Sequence, residues 1–122
     1  METEKTTEEE MRCPIAPAVD LFNGRWKTSI LWHLGEAPKR FNELHRLLPE
    51  VSSRMLTKAL RELERDGLLT HQVTATSPVK VFYTKTELTE SLIDVFRQID
   101  EWQKTNMNAV YSARLQYDAR QE

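Results

Sequence analysis

Apolar residues recur at the spacing of amphipathic helices through the first third of the chain. Pro14 suits the first turn of a helix that ends at residues 23–24. A second helix is predicted over residues 25–34, because Gly35 is a typical helix terminator and Pro38 cannot continue a helix. The predicted apolar faces are Ile15, Ala18, Val19 and Phe22 in the first helix, and Trp26, Ile30, Leu31 and Leu34 in the second.

The middle of the chain predicts two more helices, separated by a tight turn. Residues 41–48 form a short helix, and residues 49–52 form the turn. Ser52 or Ser53 can cap the longer helix that follows, and Gly67 ends it. The inward residues of the short helix are Phe41, Leu44, Leu47 and Leu48.

A β-hairpin and a long helix complete the pattern. Residues 68–73 and 79–84 are rich in β-branched and aromatic residues, which predicts two strands joined by a loop of about four or five residues. From Thr86 an apolar stripe predicts a long helix, in which Asn106 and Asn108 allow a break. The stripe consists of Leu88, Leu92, Val95, Phe96, Ile99 and Trp102.

This order of elements predicts a mainly α protein with a small β-hairpin wing, the winged helix-turn-helix fold. Residues 1–12 are polar and acidic and are expected to be a disordered tail. Residues 13–105 form the winged helix-turn-helix domain with its dimerisation helix, and residues 106–122 form a C-terminal helical extension.

The fourth helix carries the main functional signal. At about 100° per residue its basic and polar residues project opposite to its leucines, while Glu62, Glu64 and Asp66 fall on the flanks. A helix in the major groove of double-stranded DNA needs one face packed on its domain and one face of donors for bases and phosphates. A solvated charged face is the alternative. The residues predicted to face DNA are Arg40, Asn42, Ser52, Ser53, Arg54, Thr57, Lys58, Arg61 and Arg65, with Lys80 on the hairpin.

The charge distribution supports this interpretation. The chain has a net charge of −2, but residues 25–85 hold eleven basic and six acidic side chains between acidic flanks. A basic segment of this kind is expected where a chain meets a polyanion. A winged-helix module that binds protein is the competing function, and such a module would tend to lack the basic face.

Other functional classes find little support in the composition. The single cysteine, Cys13, excludes an intrachain disulfide and a cysteine-based zinc site, and the three histidines lack ligand spacing. We see no glycine-rich phosphate loop and no paired carboxylates, so we expect no enzyme, metal or cofactor. There is also no membrane-length apolar run and no signal peptide, which predicts a cytoplasmic protein.

Several spaced motifs resemble the HxlR family of bacterial regulators. They are Cys13-Pro14, residues 20–26, 40–44, 53–57 and 60–68, Tyr83-Thr84 and residues 86–88. The resemblance covers about residues 13–104 and departs from the family at Thr89, where glycine is usual. It implies a homodimeric winged-helix transcription factor that pairs through its terminal helices and binds palindromic operators.

The length of the last helix also favours a dimer. Its apolar stripe is longer than a small domain needs to complete its own core, and an apolar surface left exposed usually marks an interface. The first helix is its natural partner across the interface. The alternative is that the stripe only completes the core of the monomer. The residues predicted for the dimer interface are Ile15, Val19, Phe22, Leu92, Val95, Phe96, Ile99 and Trp102.

Cys13 is the candidate sensor of an oxidant or a small-molecule electrophile. It lies beside Arg12 at a helix N-terminus, and both features favour the reactive thiolate. Resemblance to HxlR-like regulators implies sensing through an N-terminal cysteine, by a Cys13–Cys13 bond across the dimer, a mixed disulfide or an adduct. The alternative is a small apolar residue before a helix.

Overall fold

The computed structural model describes residues 13–121, so the predicted tail over residues 1–12 lies outside the described part. The chain divides into two compact units, one ending at Glu90 and one beginning at Ser91. In chain order the elements are α1 (Ala16–Leu21), α2 (Arg25–Glu36), β1 (Lys39–Arg40), α3 (Phe41–Leu47), α4 (Ser53–Arg65), β2 (Leu69–Val73), β3 (Val81–Lys85) and α5 (Glu87–Arg120). The predicted mainly α fold with a small β wing is confirmed.

The first unit has a core of leucine and isoleucine side chains from α2, α3, α4 and the start of β2. The fully buried members include Ile30, Leu31, Leu34, Leu44, Leu56, Leu63 and Leu69. Helix α2 continues through Gly35 to Glu36, so the prediction that Gly35 ends it was wrong. Pro38 sets the end instead, because the residue before a proline is forced into extended backbone, as Ala37 is.

Helix α1 is shorter than predicted, and most of its apolar residues are exposed. It is six residues long, with Ile15 and Phe22 at its two caps. Ala16 is its buried residue, whereas Ile15 is 63% exposed and Val19 is also exposed. The predicted apolar face of Ile15, Val19 and Phe22 is therefore mostly unburied in the single chain, and its assignment to a dimer interface stays a prediction.

Helix α3 buries Leu44 and Leu48 but leaves Leu47 exposed, so the prediction that Leu47 faces inward was wrong. Leu48 follows Leu44 by one turn and lies at the helix end, where its N–H donates to the Leu44 carbonyl. The turn is then closed by Val51, whose N–H donates to the Leu48 carbonyl at 3.1 Å. This turn fixes the point at which α4 begins.

The sheet has three antiparallel strands in the order β1-β3-β2. Strand β1 was not predicted, because two residues after a proline show no periodicity. It pairs Lys39 with Tyr83 and Arg40 with Phe82. The hairpin loop, residues 74–80, is longer than expected, because β3 begins only at Val81.

Helix α5 starts beside the end of α4. The Thr86 hydroxyl donates to the Gly67 carbonyl at 2.8 Å and accepts from the Thr89 N–H at 3.4 Å. Thr89 is buried, and its hydroxyl donates to the Leu68 carbonyl. This bond gives Thr89 a structural role at the start of α5.

Helix α5 runs without interruption through residues 106–108, so the allowed break is absent. The Asn106 side-chain amide donates to the Trp102 carbonyl at 2.8 Å, one turn earlier, and so supports the helix instead of ending it. In the second unit Ile93 and Phe96 are buried. No helix in residues 13–121 is both long and apolar enough to cross a membrane.

Candidate nucleic-acid interface

The N-terminus of α4 is capped as predicted. The Ser52 side-chain oxygen accepts from the Met55 N–H at 3.1 Å, and its carbonyl accepts from the Leu56 N–H at 2.9 Å. The Ser52 hydroxyl hydrogen is still available to donate to another group. Ser53 is exposed at the first position of the helix. The cap therefore fixes the end of α4 that carries the first basic residues.

Helix α4 has two sharply different faces. Its inner face is buried and consists of Leu56, Ala59, Leu60 and Leu63. Its outer face, the basic stripe, consists of Arg54, Thr57, Lys58, Arg61 and Arg65, all exposed except for the half-buried Thr57. Most of the stripe lines an open depression that also includes Ser53 and Glu62. The structure thus brings the predicted residues of α4 together on one surface.

Glu62 lies closer to the basic stripe than the sequence predicted. Its carboxylate is 2.9 Å from the Lys27 ammonium of α2 and 3.7 Å from the Lys58 ammonium. The hydrogen bond from Lys27 lowers the pKa of the Glu62 carboxyl below its ordinary value, with a smaller contribution from Lys58. Lys58 and Glu62 are one turn apart, so their side chains meet on the helix surface.

The other flanking acid on α4 behaves differently. Glu64 turns towards the hairpin, where its carboxylate lies 3.0 Å from Nδ1 of His71. The His71 ring in turn lies against Tyr83 of β3. Glu64 is therefore engaged away from the basic stripe, as predicted for a flanking residue.

Two predicted residues lie at the start of α3. Arg40 is exposed in β1, and its N–H donates to the Glu43 carboxylate at 2.8 Å. Asn42 is exposed and lines a shallow depression with His45 and Arg46. The sequence analysis missed Arg46, although its position one turn after Asn42 on a short helix could have indicated it.

The two hairpin lysines differ in availability. Lys80 is exposed in the loop between β2 and β3. Lys85 donates to the Gly35 carbonyl at 3.0 Å and forms an ion pair with Glu90. Lys85 therefore holds the end of α2 and is not available as a second cation on the wing.

The predicted interface and sensor residues fall into exposed and buried groups. Cys13 is exposed, and its carbonyl accepts from the Ala16 N–H at 3.0 Å. Arg12, its predicted neighbour, lies outside the described residues. Phe96 is only 4% exposed within the single chain, and its assignment to a dimer interface stays a prediction. The exposed apolar residues of the predicted interface are Ile15, Val19, Val95, Ile99 and Trp102, and the half-buried ones are Phe22 and Leu92.

No group of three or more potential metal ligands occurs in the described part of the chain. The basic stripe and its capped N-terminus form the main candidate site, whereas Asn42 and Arg46 line a separate depression. Its donors and positive charge suit an anionic, hydrogen-bonding partner.

Comparisons with known proteins identify the same helix-turn-helix fold. The family profile described as HxlR-like helix-turn-helix matches residues 21–111. The uncharacterized HTH-type transcriptional regulator YybR of Bacillus subtilis (strain 168) is 38% identical over 102 residues, which cover 84% of this chain and 82% of that protein.

Two solved structures are also similar. The redox regulator HypR in its reduced form has a TM-score of 0.77 and 37% identity, covering 82% of this chain and 99% of that chain. The reduced form of the transcriptional regulator YodB from B. subtilis has a TM-score of 0.71 and 37% identity, covering 79% of this chain and 95% of that chain. YodB is also known in diamide-treated and quinone-bound forms.

Proposed function

The chain belongs to the HxlR-like helix-turn-helix family of transcriptional regulators, and from this we propose that it binds specific sequences in double-stranded DNA as a homodimer. The observation that carries the proposal is the basic stripe on the capped, solvent-facing side of α4. Arginine and lysine on such a helix pair with phosphates, and arginine also grips guanine through two hydrogen bonds.

The position of each residue along α4 suggests its role. The N-terminal part of a recognition helix reaches deepest into the major groove, so Arg54, Thr57 and Lys58 read base edges. Ser52, Ser53, Arg61 and Arg65 contact the groove edges and the phosphates, as do Arg40 and Asn42. A helix N-terminus also favours a phosphate, because its backbone N–H groups point outwards.

Exposed apolar side chains support the homodimer. Ile15 and Val19 on the N-terminal segment, and Val95, Ile99 and Trp102 on α5, are all exposed in the single chain. Apolar surface of this kind usually marks an interface. A dimer would present two α4 helices to a palindromic operator about 34 Å apart, which is one turn of DNA. Light scattering that shows only monomer at micromolar concentration would contradict this part of the proposal.

The proposal extends to a response at Cys13, whose exposed thiol lies just before α1. Relatives in reduced, diamide-treated and quinone-bound forms support this extension. Two Cys13 thiols from two protomers can form one S–S bond, passing two electrons and two protons to a diazene oxidant. One Cys13 thiolate can instead add to a quinone: a C–S bond forms, the C=C π pair of the quinone moves to a carbonyl oxygen, and uptake of one proton followed by tautomerisation gives a hydroquinone thioether. If Cys13→Ser leaves the effect of diamide and benzoquinone on DNA binding unchanged, the sensing role is wrong.

The main test is selection of duplexes from a random library, followed by gel shift of the selected duplex in increasing KCl. We expect preference for the selected duplex over its scrambled sequence and a log affinity that falls linearly with log salt concentration. Equal binding to both duplexes would exclude sequence recognition. No salt-dependent binding to either would instead favour a protein-binding module.

A further inference from the structure

A histidine side chain closes the turn between α3 and α4. Nε2 of His45 lies 2.8 Å from the Val51 carbonyl oxygen, and the Val51 N–H donates to the Leu48 carbonyl. A carbonyl oxygen can only accept a hydrogen bond, so Nε2 carries the hydrogen. The turn thereby selects one tautomer of the neutral ring, in which Nδ1 has no hydrogen and is an acceptor.

Protonation of His45 changes Nδ1 and leaves the turn as it is. Both ring nitrogens of an imidazolium are donors, so the bond from Nε2 to the Val51 carbonyl is kept. Nδ1 gains a hydrogen and becomes a donor, and the ring gains a positive charge. Histidine is the side chain that ordinarily changes charge between pH 5 and 8. The second ring nitrogen therefore responds to pH while the first holds the turn.

The ring lies in a depression whose chemistry suits an anion. His45 is half-buried and lines the α3 depression, by which we mean Asn42, His45, Arg46 and Pro49. Asn42 and Arg46 are exposed, and they supply an amide and a guanidinium as donors. None of the four lining residues is acidic. With Nε2 engaged at the turn, Nδ1 is the ring nitrogen left for a ligand in this depression.

The carboxylates near His45 in the chain are engaged with other groups. On α3 the Glu43 carboxylate accepts from the backbone N–H of the helix cap at 2.8 Å, and in the turn the Glu50 carboxylate lies 3.9 Å from Arg25. The start of α4 adds a cation, Arg54. Among the described residues, no carboxylate forms an ion pair with His45, although the two other histidines each have one. The cationic ring therefore has no counter-ion within the described chain.

The strands that pack against α3 add no counter-ion either. Strands β1 and β3 both contact this helix. Their charged residues are Lys39 and Arg40 on β1 and Lys85 on β3, and all three are cations. The other titratable group on these strands is the phenol of Tyr83. An anion from outside the chain is therefore what the protonated ring lacks.

We propose that the protonated His45 ring donates from Nδ1 to a DNA phosphate in the α3 depression, so that the protein binds its operator more tightly as the pH falls. The inference rests on the proposed function, because the first helix of a helix-turn-helix crosses the DNA backbone. Neutral His45 presents a lone pair to the phosphate oxygen, which repels it. Proton binding and phosphate binding therefore strengthen each other. Arg46 keeps its charge throughout, so the pH-dependent part of the contact belongs to His45.

The test is gel shift of the selected duplex in a KCl series at about pH 6 and about pH 8, near the two ends of the ordinary range of histidine. The wild type should bind about three- to tenfold more tightly at the lower pH, because a charged hydrogen bond is added. Its log–log salt slope should be steeper there by about 0.9, the value for one phosphate contact.

Two glutamine variants assign this pH dependence to a residue. His45→Gln places an amide N–H where Nε2 lies and has no group that titrates, so its affinity and salt slope should be the same at both pH values. His71→Gln is the control, because it makes the same substitution at an exposed histidine of β2. It should keep the full pH dependence of the wild type.

Nitrogen NMR of the free wild-type protein tests the tautomer without DNA and without a variant. At about pH 8 we expect a hydrogen on Nε2 of His45 and none on Nδ1, and at about pH 6 a hydrogen on both. A neutral ring with its hydrogen on Nδ1 would overturn the proposal. So would a wild-type affinity that does not change with pH, a pH dependence that survives in His45→Gln, or one that is lost in His71→Gln. Each of these results leaves the proposed function intact.

Failure of the proposed function gives a different result. In that case the wild-type protein binds no duplex in a salt-dependent manner at either pH, and the phosphate contact of His45 falls with it, whatever the tautomer of the ring.

Discussion

Helices α4 and α5 are both amphipathic, but they leave different chemistry exposed. On α4 the apolar face is buried, and no carboxylate in residues 13–121 forms an ion pair with Arg54, Arg61 or Arg65. On α5 charges are paired within the helix, with Arg97 3.0 Å from Asp94 and Lys104 3.1 Å from Asp100. Four residues of the apolar stripe of α5 are instead exposed, namely Leu88, Val95, Ile99 and Trp102. Exposed cations suit an anionic partner, whereas an exposed apolar row suits another apolar surface.

The largest expected effect concerns the buried face of α4. Leu63→Ala removes a fully buried side chain and should lower the free energy of unfolding by about 2–5 kcal/mol. Ile99→Ala on α5 removes an exposed side chain and should act mainly through dimerisation. Urea unfolding at several protein concentrations distinguishes the two variants, because only the loss of stability in Ile99→Ala should depend on protein concentration. If the loss of stability in Ile99→Ala is the same at every protein concentration, the exposed residues of α5 do not act through dimerisation.

The next effect concerns the outer face of α4. Arg54→Ala should cost about 1–3 kcal/mol in binding to the selected duplex and relax specificity at one base pair, because it removes a paired donor to a base. Arg97→Ala is the matched control, since this arginine is exposed but paired with Asp94 on α5. Gel shift should show almost no loss for the control. Equal losses would mean that net charge, not the basic stripe, governs binding.

Sequence periodicity predicted α4 well and the shorter elements poorly, for physical reasons. Helix α4 has several turns, a serine cap and Gly67 at a positive φ of 79°, where glycine is favoured, so independent signals agree. Strand β1 and the orientation of α1 depend on tertiary packing, since two and six residues carry too little pattern.

The same argument applies to the candidate site. The basic stripe was predictable because it lies on one helix. The contact between Glu62 and Lys27 was not, because it joins α4 to α2, and a helical projection of α4 alone contains no information about α2.

The third prediction concerns the cap of α4. Ser52→Ala removes the acceptor for the Met55 N–H and should lower the free energy of unfolding by about 1 kcal/mol. Ser53→Ala is a matched control, because Ser53 is exposed and lies inside the helix. Thermal unfolding should therefore show a lower melting temperature for Ser52→Ala than for Ser53→Ala. A larger loss from Ser53→Ala would place the cap one residue later.

The smallest effect should come from Glu62→Gln, which removes the negative charge beside the basic stripe. Lys58 loses a competing partner, so we expect tighter DNA binding and a steeper salt dependence. Asp94→Asn is the counterpart on α5 and should leave both quantities unchanged, because its partner Arg97 lies outside the stripe. Unchanged salt dependence for Glu62→Gln would show that Lys58 does not contact phosphate.

The same variant also tests the ion pair with Lys27 through pH. Because the folded pKa of Glu62 is lowered, its contribution to stability is complete above the unfolded pKa and is lost as the pH falls through the folded pKa. Wild-type protein should therefore be the more stable at pH 7, and the difference from Glu62→Gln should shrink as the solution is acidified. Urea unfolding over this range measures the difference directly. A gap that widens on acidification would mean that Lys27 and Glu62 do not stabilise the packing of α4 on α2.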